Sequence, residues 1–290
     1  MNFKEKISSG GFATLAEMDT PKGVDISELV INARLIQGRV DAVVIPGMDN
    51  GVMRMSSIGG GALMRRQGMD AIIHFYCRDR NRMAIQGDIL AAHALGIRNL
   101  IVVYSEKMDK GDHRDARPVD DLDEVGLIRA ARALNDGFDM SGFELKGSPD
   151  ITIGCAIAPY ADERALDMEL ESARKKMEAG ASFVISPSVF DMEHFVSFFE
   201  KAKDLGVPVI PTVFLLKSVG IARYMANYEP GAKISDQLIK RIRKSPDREA
   251  ECLKIAGETV ADLKEIAGGV KIQTLGWERK LPEILDYAGI

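Results

Sequence analysis

Glu17 stands inside an apolar run, FATLAEM (residues 12–18), that leads into a Pro-Gly turn. A carboxyl group placed there loses water, and burial favours its uncharged form, the state a proton donor needs. The structural alternative is a basic neighbour that pairs with Glu17, leaving it only to hold its surroundings together. Other chemistry-bearing residues recur at the ends of similar runs. Asp49 follows DAVVIP (41–46), His74 lies in DAIIHFY (70–76) just before CRDRNR, and Tyr104-Ser105-Glu106 closes NLIVVYS (99–105). Ser186 and Ser188 lie in SFVISPSVF (182–190). One such residue would be unremarkable, but recurrence at several run ends points to a shared site.

These positions require a scaffold that brings run ends together. Further apolar runs are DITIGCAI (150–157), VPVIPTVF (207–214) and GVKIQTLG (269–276), giving eight in all. They are short, β-branched and nearly continuous, as strands buried on both faces are. Helical patterns fill the gaps, from DISELVINARLIQ after the first run to KLPEILDYAG at the end. Several helices stop at Gly before the next run, as in QGMDAIIHFY, LGIRNLIVVY, AGASFVIS and LGVPVIP, where a left-handed glycine cap is expected. Eight strand–helix units predict an α/β fold, a (β/α)8 TIM barrel, as a single domain over residues 1–290. A doubly wound open sheet is the runner-up, less favoured because no early GxGxxG is present. In the barrel, the carboxyl ends of the strands carry the site. The longest irregular stretch, EKMDKGDHRDARPVDDLD, follows the fourth run, as a lid or a surface excursion.

Composition narrows the function classes. Hydrophobic residues make up 46% of the 290, enough for a sizeable core. The net charge of −5 argues against nonspecific nucleic-acid binding. No stretch has the length and apolarity of a membrane span, and MNFKEKISS is not followed by an apolar signal region, so a cytoplasmic location is expected. Cys77, Cys155 and Cys252 are widely spaced, and the four histidines are scattered, so neither a disulfide framework nor a metal site is expected.

FATLAEMDTPKG, CRDRNRMAIQGD, LGIRNLIVVYSEKMDKGDHRDARPVDDLD, KKMEAGASFVISPSVFD and VKIQTLGWE follow one another in an order that resembles the methylenetetrahydrofolate reductase family, in its short form that consists of the catalytic barrel alone. The resemblance runs from about residue 12 to residue 278. It implies a flavin, FAD or else FMN, in the barrel mouth. The implied reaction is reduction of 5,10-methylenetetrahydrofolate to 5-methyltetrahydrofolate, in one-carbon metabolism and methionine biosynthesis. By resemblance Glu17 is the general acid that opens the substrate's five-membered ring, and flavin N5 passes the hydride. His74, Asp121, Glu169 and Lys176 match flavin-contacting positions, with Lys176 on the phosphate side, where a compact charge is apt. Each has a bland alternative: a satisfied core histidine for His74, and for Lys176 an ordinary solvated helix end. Arg78, Asp79, Arg80 and Asn81 either open a salt-bridged loop or touch ligand.

Four departures fall on the ligand-facing mouth. Where the family has Thr-Gly-Asp or Arg-Gly-Asp, this chain has Tyr104-Ser105-Glu106, which keeps a catalytic-position carboxylate but lengthens it and replaces glycine. The family's pterin-binding glutamine is Pro187, after Ser186, and proline offers no paired amide bonds. Val219 stands for a phenylalanine that lies against substrate or nicotinamide, and Ala158-Pro159 for Asn-Pro or Tyr-Pro. Ser186, Ser188 and Val219 are therefore expected on the substrate side, with Glu17. Three accounts follow: a reductase that draws electrons from a partner protein rather than NAD(P)H, an enzyme for a modified pterin, or a non-catalytic flavin- or pterin-binding subunit of a redox complex. Assembly as a homo-oligomer or hetero-complex is compatible with each.

Overall fold

The computed structural model describes residues 1–290. Eight parallel strands close into a barrel in sequence order: β1 (Ala13–Glu17), β2 (Ala42–Ile45), β3 (Ala71–Phe75), β4 (Asn99–Val102), β5 (Thr152–Ala156), β6 (Phe183–Ser188), β7 (Val209–Phe214) and β8 (Gly269–Gln273). Each lies within one of the eight apolar runs. β1 pairs with β8 through Leu15 and Lys271, which removes both sheet edges. The fold is a (β/α)8 TIM barrel, and the open-sheet alternative falls because the first and last strands are hydrogen-bonded.

Helices α2 (Ser27–Ile36), α3 (Ser57–Arg66), α4 (Arg82–Ala94), α5 (Glu124–Asn135), α6 (Glu163–Ala179) and α7 (Met192–Ala202) follow β1 to β6 in turn. After β7 come α8 (Val219–Tyr228), α9 (Asp236–Lys244) and α10 (Arg248–Lys264), and α11 (Leu281–Tyr287) closes the chain. Side chains of Asn81, Asp123, Asp162 and Asp191 cap α4 to α7 by accepting from backbone N–H groups of the first turn. Gly68, Gly96 and Gly206 take the left-handed conformation expected between helix and strand, whereas Gly180 opens further, to a φ of 125°.

An additional helix, α1 (Phe3–Ser8), precedes the barrel, with Asn2 and Glu5 forming a capping box. Its Phe3 and Ile7 are buried with Ala13, Leu15, Ala42, Val44, Ile72, Ile101, Phe183, Ile185 and Ile210. These strand residues alternate along their strands, so they are the inward set, and α1 plugs the amino end of the barrel. The outward set packs against the helices in a separate apolar shell. Phe3 meets Phe183 edge to face at 5.1 Å. Phe183 takes the space that a side chain on β5 would fill: a Cβ added to Gly154 would lie 2.2 Å from its ring.

Gly154→Ala therefore requires the Phe183 ring to move within a closed interior. The expected cost is about 1–3 kcal/mol, read as a lower urea midpoint with an unchanged slope.

Candidate active site

Glu17 ends β1 with its side chain inward, at the top of the apolar filling. It is 6% exposed, yet it does not stand alone. Lys271 Nζ donates to its Oε2 at 2.6 Å and Gln273 Nε2 to its Oε1 at 2.6 Å. The geometry follows from register: Lys271 lies level with Leu15, one inward position below Glu17, and Gln273 is the next inward residue of β8. The basic neighbour that the sequence reading held open for Glu17 is present, and the carboxyl is part of a buried ion pair with an amide alongside. Its attraction offsets the desolvation of two charges, and removing one partner costs about 3–5 kcal/mol in such pairs.

Arg78 ties the loops around this pair. It is buried at 4% exposure and forms a bidentate pair with Asp79, at 2.6 and 3.0 Å. Its remaining N–H groups reach the carbonyls of Met48 (2.6 Å) and Glu106 (2.6 Å). One guanidinium thereby joins the segments after β2, β3 and β4. Glu106 N donates to Asp49 O at 2.7 Å, and Val119 N to Arg78 O at 2.6 Å. The irregular stretch after β4 is pinned again at Asp112, which pairs with Lys22 and accepts from Met53 N. A Cβ on Gly111 would lie 1.9 Å from Gly51 O, so the crossing of these two segments requires glycine. The stretch is a strap fastened across the mouth. Of the two expectations for CRDRNR, Arg78 and Asp79 open a salt-bridged loop, Arg80 pairs with Asp88, and Asn81 caps α4.

Beside the strap lies a cleft of about 1150 Å³ lined by Cys77, Tyr104, Ser105, Glu106, Asp121 and Glu124, among others. Tyr104 presents an exposed ring, and Ser105 has no left-handed backbone, so the loss of glycine there carries no strain. Asp121 pairs with Arg82 through the side chain and backbone, which holds its carboxyl down at about 2. Burial, with the charges of Glu124, Asp123 and Asp120, pushes the Cys77 thiol up to about 12, far from nucleophilic use. Lys176 is 5% exposed, so it is no solvated helix end. It pairs with Glu124 of the cleft and reaches Ala156 O at 3.4 Å, while Glu169 accepts from Ala158 N at 3.2 Å. His74 is buried, with Nδ1 3.4 Å from Asp49 Oδ1.

A second, narrow cavity, of about 30 Å³, is lined by Ser186, Pro187, Ser188, Tyr160, His194 and Glu229 among others. Burial, and then the charge of Glu106, raises Glu229, which brings the two cavities within electrostatic reach of each other. At Pro187 the β6–β7 register shifts between Ile185 and Ser188. Proline has no N–H for the ladder, and the strand bulges. Ser186 Oγ donates to Pro187 O, and Thr212 Oγ1 to Ser186 O, both at 2.9 Å. Val219 opens α8 and packs on the shell between barrel and helices. The structure therefore gathers Tyr104, Ser105, Glu106 and Asp121 in one cleft, with Lys176 joined to it through Glu124; Glu169, on Ala158 N, and His74, on Asp49, do not line it. Ser186 and Ser188 occupy another cavity, Glu17 the barrel top, and Val219 neither cavity.

A family model described as methylenetetrahydrofolate reductase matches residues 2–289. The chain belongs to the methylenetetrahydrofolate reductase family. Within it, methylenetetrahydrofolate reductase 2 of Schizosaccharomyces pombe is 24% identical over 79% of this chain, and methylenetetrahydrofolate reductase 1 of the same yeast 21% over 77%. The aligned regions span only 37% and 36% of those relatives. Solved structures similar in fold include EDTA monooxygenase from Chelativorans sp. BNC1, with a TM-score of 0.53 at 12% identity, covering 96% of this chain and 95% of that one. Another is 2,3-dimethylmalate lyase, with a TM-score of 0.53 at 11% identity, covering 99% and 87%. At such identities they share architecture with this family member and no more.

Lys271 and Gln273 escape a reading that treats GVKIQTLG as an apolar run. Their signal is the alternation itself, two long polar side chains two residues apart at the end of a strand. In this member of the family no group of three or more His, Cys, Asp or Glu residues is arranged to hold a metal ion, and the three cysteines are free and buried. No helix is long and apolar enough to cross a membrane.

Two outcomes follow for this reductase-family barrel. Arg78→Met should release the strap, seen as faster amide exchange and proteolysis confined to residues 104–121. Asp49 is held below its ordinary value although burial opposes this, because the charge and hydrogen bond of His74, with backbone bonds at Asp49 and Gly47, together outweigh it. A lowered folded value gives stability that is present above the ordinary carboxylate range and lost as pH falls through the lowered one. Asp49→Asn should therefore shrink the fall in urea midpoint between pH 7 and pH 3.

Proposed function

We propose that this chain reduces 5,10-methylenetetrahydrofolate to 5-methyltetrahydrofolate with a bound flavin. The observation that carries this reading is the family match across nearly the whole chain, taken with Glu17 at the inward end of β1. The cleft beside β3 and β4 suits a flavin in size, and Tyr104 offers it an aromatic face. His74, Tyr104, Ser105, Glu106, Asp121, Glu169 and Lys176 are the residues that would hold it, as FAD or FMN. When bound, the flavin supplies the hydride, from N5.

The chain's own residues do the rest. Glu17 transfers a proton to the substrate nitrogen whose bond to the one-carbon unit breaks, which leaves that carbon electrophilic. Glu106 places a carboxylate at the mouth, and Ser186 and Ser188 border the substrate side. The strap held by Arg78 limits water access to the proton-transfer site. Electrons arrive from NAD(P)H or from a partner redox protein, and assembly with copies of itself or with that partner fits either source. A cytoplasmic setting suits this chemistry.

A second reading, a related flavoprotein acting on a different pterin, has one observation in its favour. At Pro187 the paired amide that would select a pterin ring is absent, and the Ser186 hydroxyl is spent on Pro187 O. A non-catalytic binding subunit is the remaining alternative.

Anaerobic reduction of the flavin-loaded protein tests the proposal. Reoxidation of the flavin by 5,10-methylenetetrahydrofolate is the expected result, and a flavin that stays reduced overturns it. Glu17→Gln should retain the flavin but slow reoxidation by about 10²-fold or more.

A further inference from the structure

The ion pair inside the barrel raises a difficulty that points to its own answer. A general acid must hold a proton, yet both oxygens of Glu17 accept hydrogen bonds, one of them from an ammonium group. We propose that Lys271 is the proton source for Glu17, so that the pair holds one transferable proton along the 2.6 Å Nζ–Oε2 contact. This rests on the reading of Glu17 as the acid in the reaction above.

The geometry favours such a transfer. Lys271 is 8% exposed, inward-facing and level with Leu15 on one side and Thr212 on the other, with Glu17 as its ion-pair partner. Moving the proton from Nζ to Oε2 converts two buried charges into a neutral amine and a neutral carboxylic acid. That conversion is favoured as water is displaced, because low-polarity surroundings penalise each charge. A substrate seated over Glu17 displaces that water. Glu17 then gives the proton to the substrate nitrogen and is again a carboxylate, beside a neutral Lys271 amine. Charge balances at each step: the ammonium loses one proton, the substrate gains it, and the carboxyl group carries it between them. After product leaves, solvent restores the ammonium.

Charged groups on or beyond β1, β3, β7 and β8 are engaged with partners of their own. Asp19, beyond β1, pairs with Arg54 at 2.7 Å. His74 on β3 faces Asp49, Lys217 beyond β7 bonds Leu275 O, and Glu278 beyond β8 accepts from Gly276 N. The flanking inward neighbours are Val44, Thr212 and Phe214, all uncharged. Lys271 acts through Glu17 and is therefore a positioning residue. Arginine at this place would keep the ion pair but would not yield its proton.

The test uses the flavin-loaded, prereduced protein and 5,10-methylenetetrahydrofolate, with reoxidation followed against pH. Lys271→Arg and Lys271→Met should each slow reoxidation about 100-fold, with flavin still bound, and Lys271→Met should alter the shape of the pH profile. A Lys271→Arg protein that reoxidises at near the wild-type rate overturns the relay, because the pair would then matter only as charge. Wild-type flavin left reduced by the substrate overturns the functional reading instead. A second measurement follows the proton itself in the lysine 15Nζ spectrum of the wild type, using tetrahydrofolate as a probe that is not reduced. Saturation should shift the Lys271 signal from ammonium toward free amine, and a signal that stays ammonium with tetrahydrofolate bound overturns the proposal.

Discussion

Closure of the barrel is the constraint on which everything else depends. Pairing β1 with β8 satisfies the sheet edges but leaves an interior that only inward side chains can fill. Small and large residues must then fit one another, as Phe183 does in occupying the space left by Gly154. At the amino end the filling is completed by Phe3 and Ile7 of α1. At the other end it stops at Glu17, Lys271 and Gln273. The apolar filling below isolates this charged layer from water on one side, which makes events on its open side matter to its charge state.

The mouth above that layer is built from loops, and loops need a fastening that strands do not. Arg78 supplies it with one planar group whose donors diverge toward the segments after β2, β3 and β4. A lysine could not satisfy the same set, because its ammonium is a point and not a fork. The strap is held at its far side by Asp112 and by the glycine-only crossing at Gly111. Two carboxylates of this stretch, which reads in the sequence as surface charge, are committed to specific partners: Asp112 faces Lys22 and Asp121 faces Arg82.

The barrel was legible because both-face burial makes each strand a short apolar run, and because glycine and the capping side chains punctuate the helices. α1 was not, since six residues with two apolar ones carry no clear period, and only the barrel gives Phe3 and Ile7 a place to be buried. Glu17 stood out as a charge among apolar residues. Its partners did not, because the pairing joins positions 254 and 256 residues apart, and only strand closure brings them together. Lys176 is a similar case. A lysine in RKKMEAG looks solvated, and its burial depends on Glu124, a residue on another helix.

Pro187 shows how a change at the mouth can leave the scaffold intact. The missing N–H shifts the β6–β7 register, but Thr212 Oγ1 takes up Ser186 O and Val189 N takes up Thr212 O, so the ladder resumes beyond the bulge. The consequence is confined to the side chains between those bonds, where a bulged strand re-aims Ser186 and Ser188. Glu17 lies across the barrel, tied to β8, and no hydrogen bond of the bulge reaches it. Between the bulge and the Glu17–Lys271 pair stands Thr212, which bonds Ser186 O and lies level with Lys271. In the proposed reaction Thr212 therefore adjoins both the side that selects the pterin and the pair that protonates it, while the hydrogen bonds on Glu17 itself come from β8 alone.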